Sequence, residues 1–178
     1  MEHTNRREAA TAVGDTLRRR LKQSRFDSSH HEALLNVLVA ADHVKSRYAR
    51  ALRPRGISLP QYNVLRILRG AGEAGHSRCA IAERMLDHSP DVTRILDRLE
   101  EAGLVRRSPG RADRRTSIAR ITPRGLAALE VLEAPLQRQT QEVGGRLSEA
   151  ERRELSRLLE KLYSETAAAR SPDRERMP

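Results

Sequence analysis

The sequence predicts a mainly α fold with one small β-hairpin set among its helices. Three observations predict it. Apolar residues recur three and four positions apart in successive segments between residues 30 and 162. Capping residues, prolines and glycines fall at the ends of those segments. Strand-like runs occur in one place, where LVRRS (104–108) and TSIARI (116–121) flank the loop PGRADRR (109–115). The chain has 178 residues, enough for one domain or two small lobes whose core needs no disulfide. Aromatic residues make up only 2% of it, so that core is aliphatic.

Each element has its own grounds. Residues 1–27 are charged and read as an N-terminal extension, helical only around LRRRLKQ (17–23). Leu34, Leu38, Ala41, Val44, Tyr48 and Leu52 then form one helical stripe, and Leu35, Val37 and Val39 widen it. A helix apolar on more than one side needs more than one neighbour, and a second subunit can be one of them. Pro54 and Gly56 break the chain. Ser58 and Gln61 match a capping box ahead of a helix with Val64, Leu65 and Leu68 inward. GAGEAG (70–75) is a turn, and 78–86 a short helix with Ile81, Met85 and Leu86 inward.

Ser89 is read as the N-cap of the following helix, with Pro90 at its first position, where a missing N–H costs nothing. Val92, Ile95, Leu96 and Leu99 face the core as far as Ala102, and Gly103 closes the helix. Beyond the hairpin, Thr122-Pro123 opens a helix with Leu126, Leu129, Leu132 and Leu136 inward, and Pro135 predicts a kink or break near Val131. Gly144-Gly145 punctuates. SEAE (148–151) is a second capping box, and Leu155, Leu158, Leu159 and Leu162 stripe the last helix. Residues 170–178 read as a disordered tail.

Composition narrows the function. A net charge of +10 suggests a polyanionic partner, either nucleic acid or an anionic membrane surface. No apolar run approaches the ~18 residues needed to cross a bilayer. MEHTNRREAATAVGD has no apolar core of a secretory signal, and the single cysteine, Cys79, allows no internal disulfide. The expectation is a cytoplasmic chain with no membrane partner. A proline-started helix followed by an arginine-loaded hairpin is the layout of a winged helix-turn-helix, in which one helix enters a DNA groove and the hairpin lies beside it.

AIAERM followed by SPDVTRILDRLEEAGLVRR, and then RADRRTSIARITPRG, resemble the helix-turn-helix core and wing of the MarR (multiple antibiotic resistance regulator) family. The wing signature falls on Asp113, Arg115, Ile121 and Thr122, and the resemblance covers about Leu34 to Leu162. It implies a homodimer with intertwined first and last helices, a palindromic double-stranded operator, and release by a small ligand or an oxidant. On that basis residues 28–53 and 123–169 are expected to be dimerisation helices, and 54–122 the DNA-binding lobe.

With one face of the recognition helix buried, Asp91, Thr93, Arg94, Asp97 and Arg98 lie on the other. Arg94 is the first choice for base readout, as a fork on guanine. Thr93 can meet a thymine methyl or a phosphate. Asp91 can accept from a cytosine amino group or orient Arg94 or Arg98. Ser89 can touch a phosphate besides capping. In the wing, Arg111 and Arg114 suit a narrow minor groove. Asp113 and Arg115 can instead pair and hold the wing's shape. Arg106 and Arg107 point to opposite faces of their strand, so at most one meets a phosphate.

The other reactive residues carry less. Cys79 opens a helix, but the family's peroxide-sensing branch places its cysteine near the first helix. His30-His31 and the other histidines form no metal set, so no metal and no cofactor are expected. Tyr48 and Tyr62 can line the pocket that relatives use for small aromatic ligands, or simply fill core. No phosphate loop or activated nucleophile occurs, so no enzyme is expected. The sequence therefore reads as a dimeric, sequence-specific transcriptional regulator, a repressor released by a small molecule. The alternative is a low-specificity, nucleoid-type DNA-binding protein.

Overall fold

A computed structural model describes residues 14–87, 91–110 and 115–168. The chain divides after Arg50 into two units. The first holds α1 (Asp15–Leu21) and most of α2 (Ser29–Leu52). Helix α1 falls where LRRRLKQ predicts one, and it stops at Lys22, which sits in the left-handed region at φ 54. Leu17 is buried, and Arg20 reaches Asp42 of α2 at 3.4 Å. The Arg18 guanidinium lies 5.7 Å from the centre of the Phe26 ring, which in turn meets His31 edge-on. The stripe predicted for α2 is only partly covered within the chain: Leu52 is buried and Val44 and Tyr48 are half-buried, but Leu34 is 53% and Leu38 65% exposed.

The second unit contains the core. A short 3-10 turn (Arg53–Arg55) ends at Gly56, and α3 (Leu59–Ala71) begins with the capping box read from the sequence. Gln61 N–H donates to Ser58 Oγ at 3.3 Å, and Ser58 N–H donates to Gln61 Oε1 at 2.8 Å. Val64, Leu65 and Leu68 are fully buried, as their spacing requires. Around them lie α4 (Arg78–Arg84), α5 (Val92–Glu101) and α6 (Pro123–Gly144), and α7 (Glu149–Ala168) follows. The sheet has three antiparallel strands: β1 (His76–Ser77), β2 (Val105–Pro109) and β3 (Ser117–Ile121), in the order β1-β3-β2. Only two strands were expected. A two-residue strand has no periodicity to read, yet its Ser77 also caps α4 by accepting from Ala80 N–H.

Two inward assignments and one expected break change. Leu86 is 78% exposed, because Met85 already has extended backbone and turns the next side chain outward, where Leu86 N–H is held by Asn63 Oδ1. Leu126 is exposed, and Gly125 takes its inward place ahead of Leu129, Leu132 and Leu136. Of the kink or break expected near Val131, the break does not occur: α6 continues through Pro135 to Gly144, although a proline there has no N–H to offer the Val131 carbonyl. The second capping box is present, with Ser148 N–H donating to Glu151 Oε2 at 2.7 Å. Leu155, Leu158 and Leu162 of α7 remain exposed within one chain. The tail beyond residue 168 lies outside the described residues.

α5, the sheet and α6 meet at one junction. Gly103 adopts φ 70, and Leu104 N–H reaches back to the Leu99 carbonyl while Gly103 N–H reaches Glu100. That is the glycine-closed helix end read from the sequence. Thr122 then does three things. Its N–H donates to the Leu104 carbonyl at 3.0 Å, its hydroxyl donates to the Gly103 carbonyl at 2.8 Å, and its oxygen accepts from Gly125 N–H at 3.1 Å. A methyl on Gly125 would overlap the Leu104 carbonyl oxygen and lie 2.7 Å from Ile121 Cγ1. Alanine elsewhere in a helix is worth about 1 kcal/mol over glycine. Here Gly125→Ala should instead destabilise by about 1–3 kcal/mol, lowering Tm by roughly 2–10 °C. Thermal unfolding followed by circular dichroism checks it, and a rise in Tm would show that the contact does not matter.

Candidate nucleic-acid interface

The helix proposed to read DNA begins later than its sequence suggests. Asp91, not Ser89, is the N-cap of α5, and its Oδ1 accepts from Arg94 N–H at 3.1 Å. The first helical residue is Val92, so Pro90 is not the N1 residue; Ser89 and Pro90 themselves lie outside the described residues. With 10 residues, α5 is about 15 Å long. Its buried face is Val92, Leu96 and Leu99, with Ile95 half-buried. Thr93, Arg94 and Arg98 are exposed, and among the described residues no hydrogen bond or ion pair occupies the Arg94 or Arg98 side chain. Two guanidinium groups are thus presented on one face, within the first two turns of the helix.

Two of the acids farther along α5, Asp97 and Glu100, are committed to the wing. Arg107 on β2 donates its backbone N–H to Glu100 Oε1 and its Nε to Glu100 Oε2, both at 2.8 Å. Its Nη2 approaches Glu100 Oε2 at 2.6 Å and its Nη1 approaches Asp97 Oδ1 at 2.8 Å. This is a two-pronged clamp between the helix and the strand after it. Hydrogen bonding to Arg107 holds the Glu100 carboxyl below its ordinary value, and the same bond raises the Arg107 guanidinium. Asp97, read from sequence as part of the open face, is half-buried and paired. Sequence reasoning missed the clamp, although acids three apart on one helix face beside a following strand could have signalled it.

Arg106 points to the other side of β2, as strand alternation requires, and lies 3.8 Å from Glu73. It faces Arg120 across the ladder. Arg120 donates to the Glu73 carbonyl at 2.8 Å and to Ser108 Oγ at 2.7 Å. Two like charges opposed across strands repel, and Glu73 offsets them. Of the six wing arginines, Arg107 and Arg120 are therefore structural. Arg115 is exposed where the chain returns towards β3. Arg111, Asp113 and Arg114 lie outside the described residues. Tyr62 on α3 is half-buried, and its hydroxyl accepts from Arg66 at 3.0 Å. Tyr48, on α2, is also half-buried.

Residues 57–117 match the model of the MarR family. The chain is 35% identical over 126 residues to a putative transcriptional regulatory protein for the hcr operon of Thauera aromatica, covering 68% of this chain and 75% of that protein. The chain belongs to the MarR family. It is 31% identical to an HTH-type transcriptional repressor of Mycobacterium tuberculosis, covering 68% of this chain and 86% of the other. Among solved structures, a mutant MarR from E. coli complexed with operator DNA superposes with a TM-score of 0.64 at 27% identity, covering 71% of this chain and 89% of that one.

Within this MarR-family chain, two features of α5 can be tested without DNA. Asp91→Ala should cost about 0.5–2 kcal/mol, while Asp91→Asn, which keeps the capping oxygen, should cost little. Equal losses for both in urea unfolding would deny the cap. The depressed Glu100 carboxyl adds stability that is present above its unfolded-state value and is lost as pH falls through its folded value. Glu100 is partly exposed, so the term is roughly 0.5–1 kcal/mol. Glu100→Gln should thus be less stable than the parent near neutral pH. The gap should close as pH falls through the acidic range below the ordinary carboxylate value, which unfolding at a series of pH values measures.

Proposed function

We propose that this chain is a dimeric, sequence-specific DNA-binding repressor that releases its operator when a small molecule binds. The observation that carries the proposal is the open Thr93, Arg94 and Arg98 face of α5, held beside an arginine-bearing hairpin. Arg94 is assigned to guanine edges in the major groove. Arg98 and Thr93 are assigned to phosphates or neighbouring bases, and Arg111, Arg114 and Arg115 to the wing's contact with an adjacent groove. Asp91 acts on the site by fixing the start of α5. The repressor named above from Mycobacterium tuberculosis and the E. coli protein complexed with operator DNA support the reading.

Dimerisation is assigned to residues 28–53 and 123–169, and DNA binding to 54–122. The support is the apolar surface left open in one chain, with Leu34 and Leu38 on α2 and Leu155, Leu158, Leu162 and Tyr163 on α7. These side chains are about half exposed, so a second copy that covers them gains roughly half of the 1.5–3 kcal/mol that burying a fully exposed one gives. The effector is assigned to the small aromatic class, with Tyr48 and Tyr62 as its candidate contacts. No described helix is long and apolar enough to cross a membrane, and a cytoplasmic location is proposed, as is a role without catalysis.

Selection of bound DNA from a random pool, followed by footprinting, tests the reading. The expected result is protection of a discrete palindrome; diffuse protection would favour the nucleoid-type alternative. On the selected site, Arg94→Ala should lose about 1–3 kcal/mol more than on random DNA. Equal losses on both would remove the base-reading role. If a dimer neutralises about eight phosphates, the log–log salt dependence of affinity has a slope near −7.

A further inference from the structure

The clamp from Arg107 to Asp97 and Glu100 is built between the two parts that the proposed function brings to DNA, and its residues are not themselves among the proposed DNA contacts. Three of its bonds use both oxygens of one carboxylate, and a fourth reaches a second carboxylate one turn away. Asp97 stands one turn beyond Arg94 and directly before Arg98 on α5. A surface ion pair of this exposure adds little to folding stability. Its geometric effect is larger. A rigid guanidinium fork fixes the angle of the helix to the strand, which a single flexible contact would not. It also draws two carboxylates away from a face that must approach phosphates.

We propose that Arg107 is a positioning residue for DNA recognition. By gripping Asp97 and Glu100 it fixes the angle between the recognition helix and the wing, so that Arg94 and the hairpin meet two grooves at once. The inference rests on the proposed DNA-binding function and names a determinant of specificity within it. Charge alone makes a different forecast from position. The three groups together carry one net negative charge in the parent, two in Arg107→Gln, and none in the triple variant Asp97→Asn, Glu100→Gln, Arg107→Gln. If only charge matters, the triple variant binds every DNA at least as well as the parent, with specificity unchanged.

The test is fluorescence anisotropy of the full-length protein on its selected site and on random DNA at matched salt. The parent, Arg107→Lys, Arg107→Gln and the triple variant are compared, each first confirmed as folded by circular dichroism. The triple variant should bind random DNA at or above parental affinity, yet its ratio of specific to random binding should fall about tenfold. Arg107→Lys keeps the charge but not the fork, and its ratio should fall as well. Arg106→Gln removes a wing charge from the opposite strand face, and should weaken both DNAs together with the ratio kept. A parental ratio in both the triple variant and Arg107→Lys overturns the positioning role. A parent protein that binds no DNA overturns the proposed function, and this inference with it.

Discussion

The close approach of Gly125 to the Leu104 carbonyl is the constraint on which the rest of the second unit depends. At this point the end of α5, the start of β2, the end of β3 and the first turn of α6 all come together. Thr122 fastens them with its N–H, its hydroxyl hydrogen and its oxygen, and no side chain longer than hydrogen fits at Gly125. The point at which α5 ends and the hairpin begins is therefore set mainly by backbone groups. Side-chain packing can relax by rotamer changes; a carbonyl held by an N–H on one side and pressed by a helix on the other cannot. The register of the hairpin follows, because Val105 is paired with Ile121 directly beyond the junction.

Charge is arranged around that frame. The chain carries an excess of ten positive charges, yet acids are abundant on and beside α5. Four of them have local partners: Asp91 caps the helix, Asp97 and Glu100 hold Arg107, and Glu73 meets Arg106. Exposed pairs of this kind contribute about 0–1 kcal/mol each, little beside a core of fully buried Leu52, Leu65, Leu68, Leu99, Leu129 and Leu132. They do not hold the fold together. They decide which guanidinium groups remain open, and Arg94 and Arg98 are left on the helix.

Much of this was legible in the sequence, for identifiable reasons. Capping is local, so Ser58 with Gln61, Ser148 with Glu151, and Thr122 ahead of Pro123 could be read at their true positions. Glycine closure at Gly103 is local too. The failures came where tertiary context chose between two plausible local answers. Ser89 and Asp91 are both good caps, and the structure places Asp91 in that position, its Oδ1 accepting from Arg94 N–H. Leu126 and Gly125 are neighbours, and only the nearness of the Leu104 carbonyl makes the smaller one face inward. The clamp at Arg107 needs a helix and a strand to be placed together before its three residues have any relation. β1 exists only because β3 offers it an edge. The candidate readers Thr93, Arg94 and Arg98 were found from helical spacing alone, and Asp97 was misassigned because spacing cannot see the strand beside it.

The two kinds of surface in the chain differ in completeness. The lobe around α3, α4, α5 and the sheet closes its own core, with Val64, Leu65, Leu68, Ile81 and Leu99 almost wholly removed from solvent. The apolar stripes of α2 and α7 are as regular as those of the core helices, yet Leu38 and Leu162 remain more than half exposed. Regular spacing without cover is what a helix shows when its partner is another chain. In the proposed dimer, such helices would hold two self-contained reading lobes at a fixed separation, which a palindromic site spaced by about one turn of DNA requires. Sequence specificity would then arise at two levels: Arg94 selects bases within a half-site, and the shared helices select the distance between half-sites.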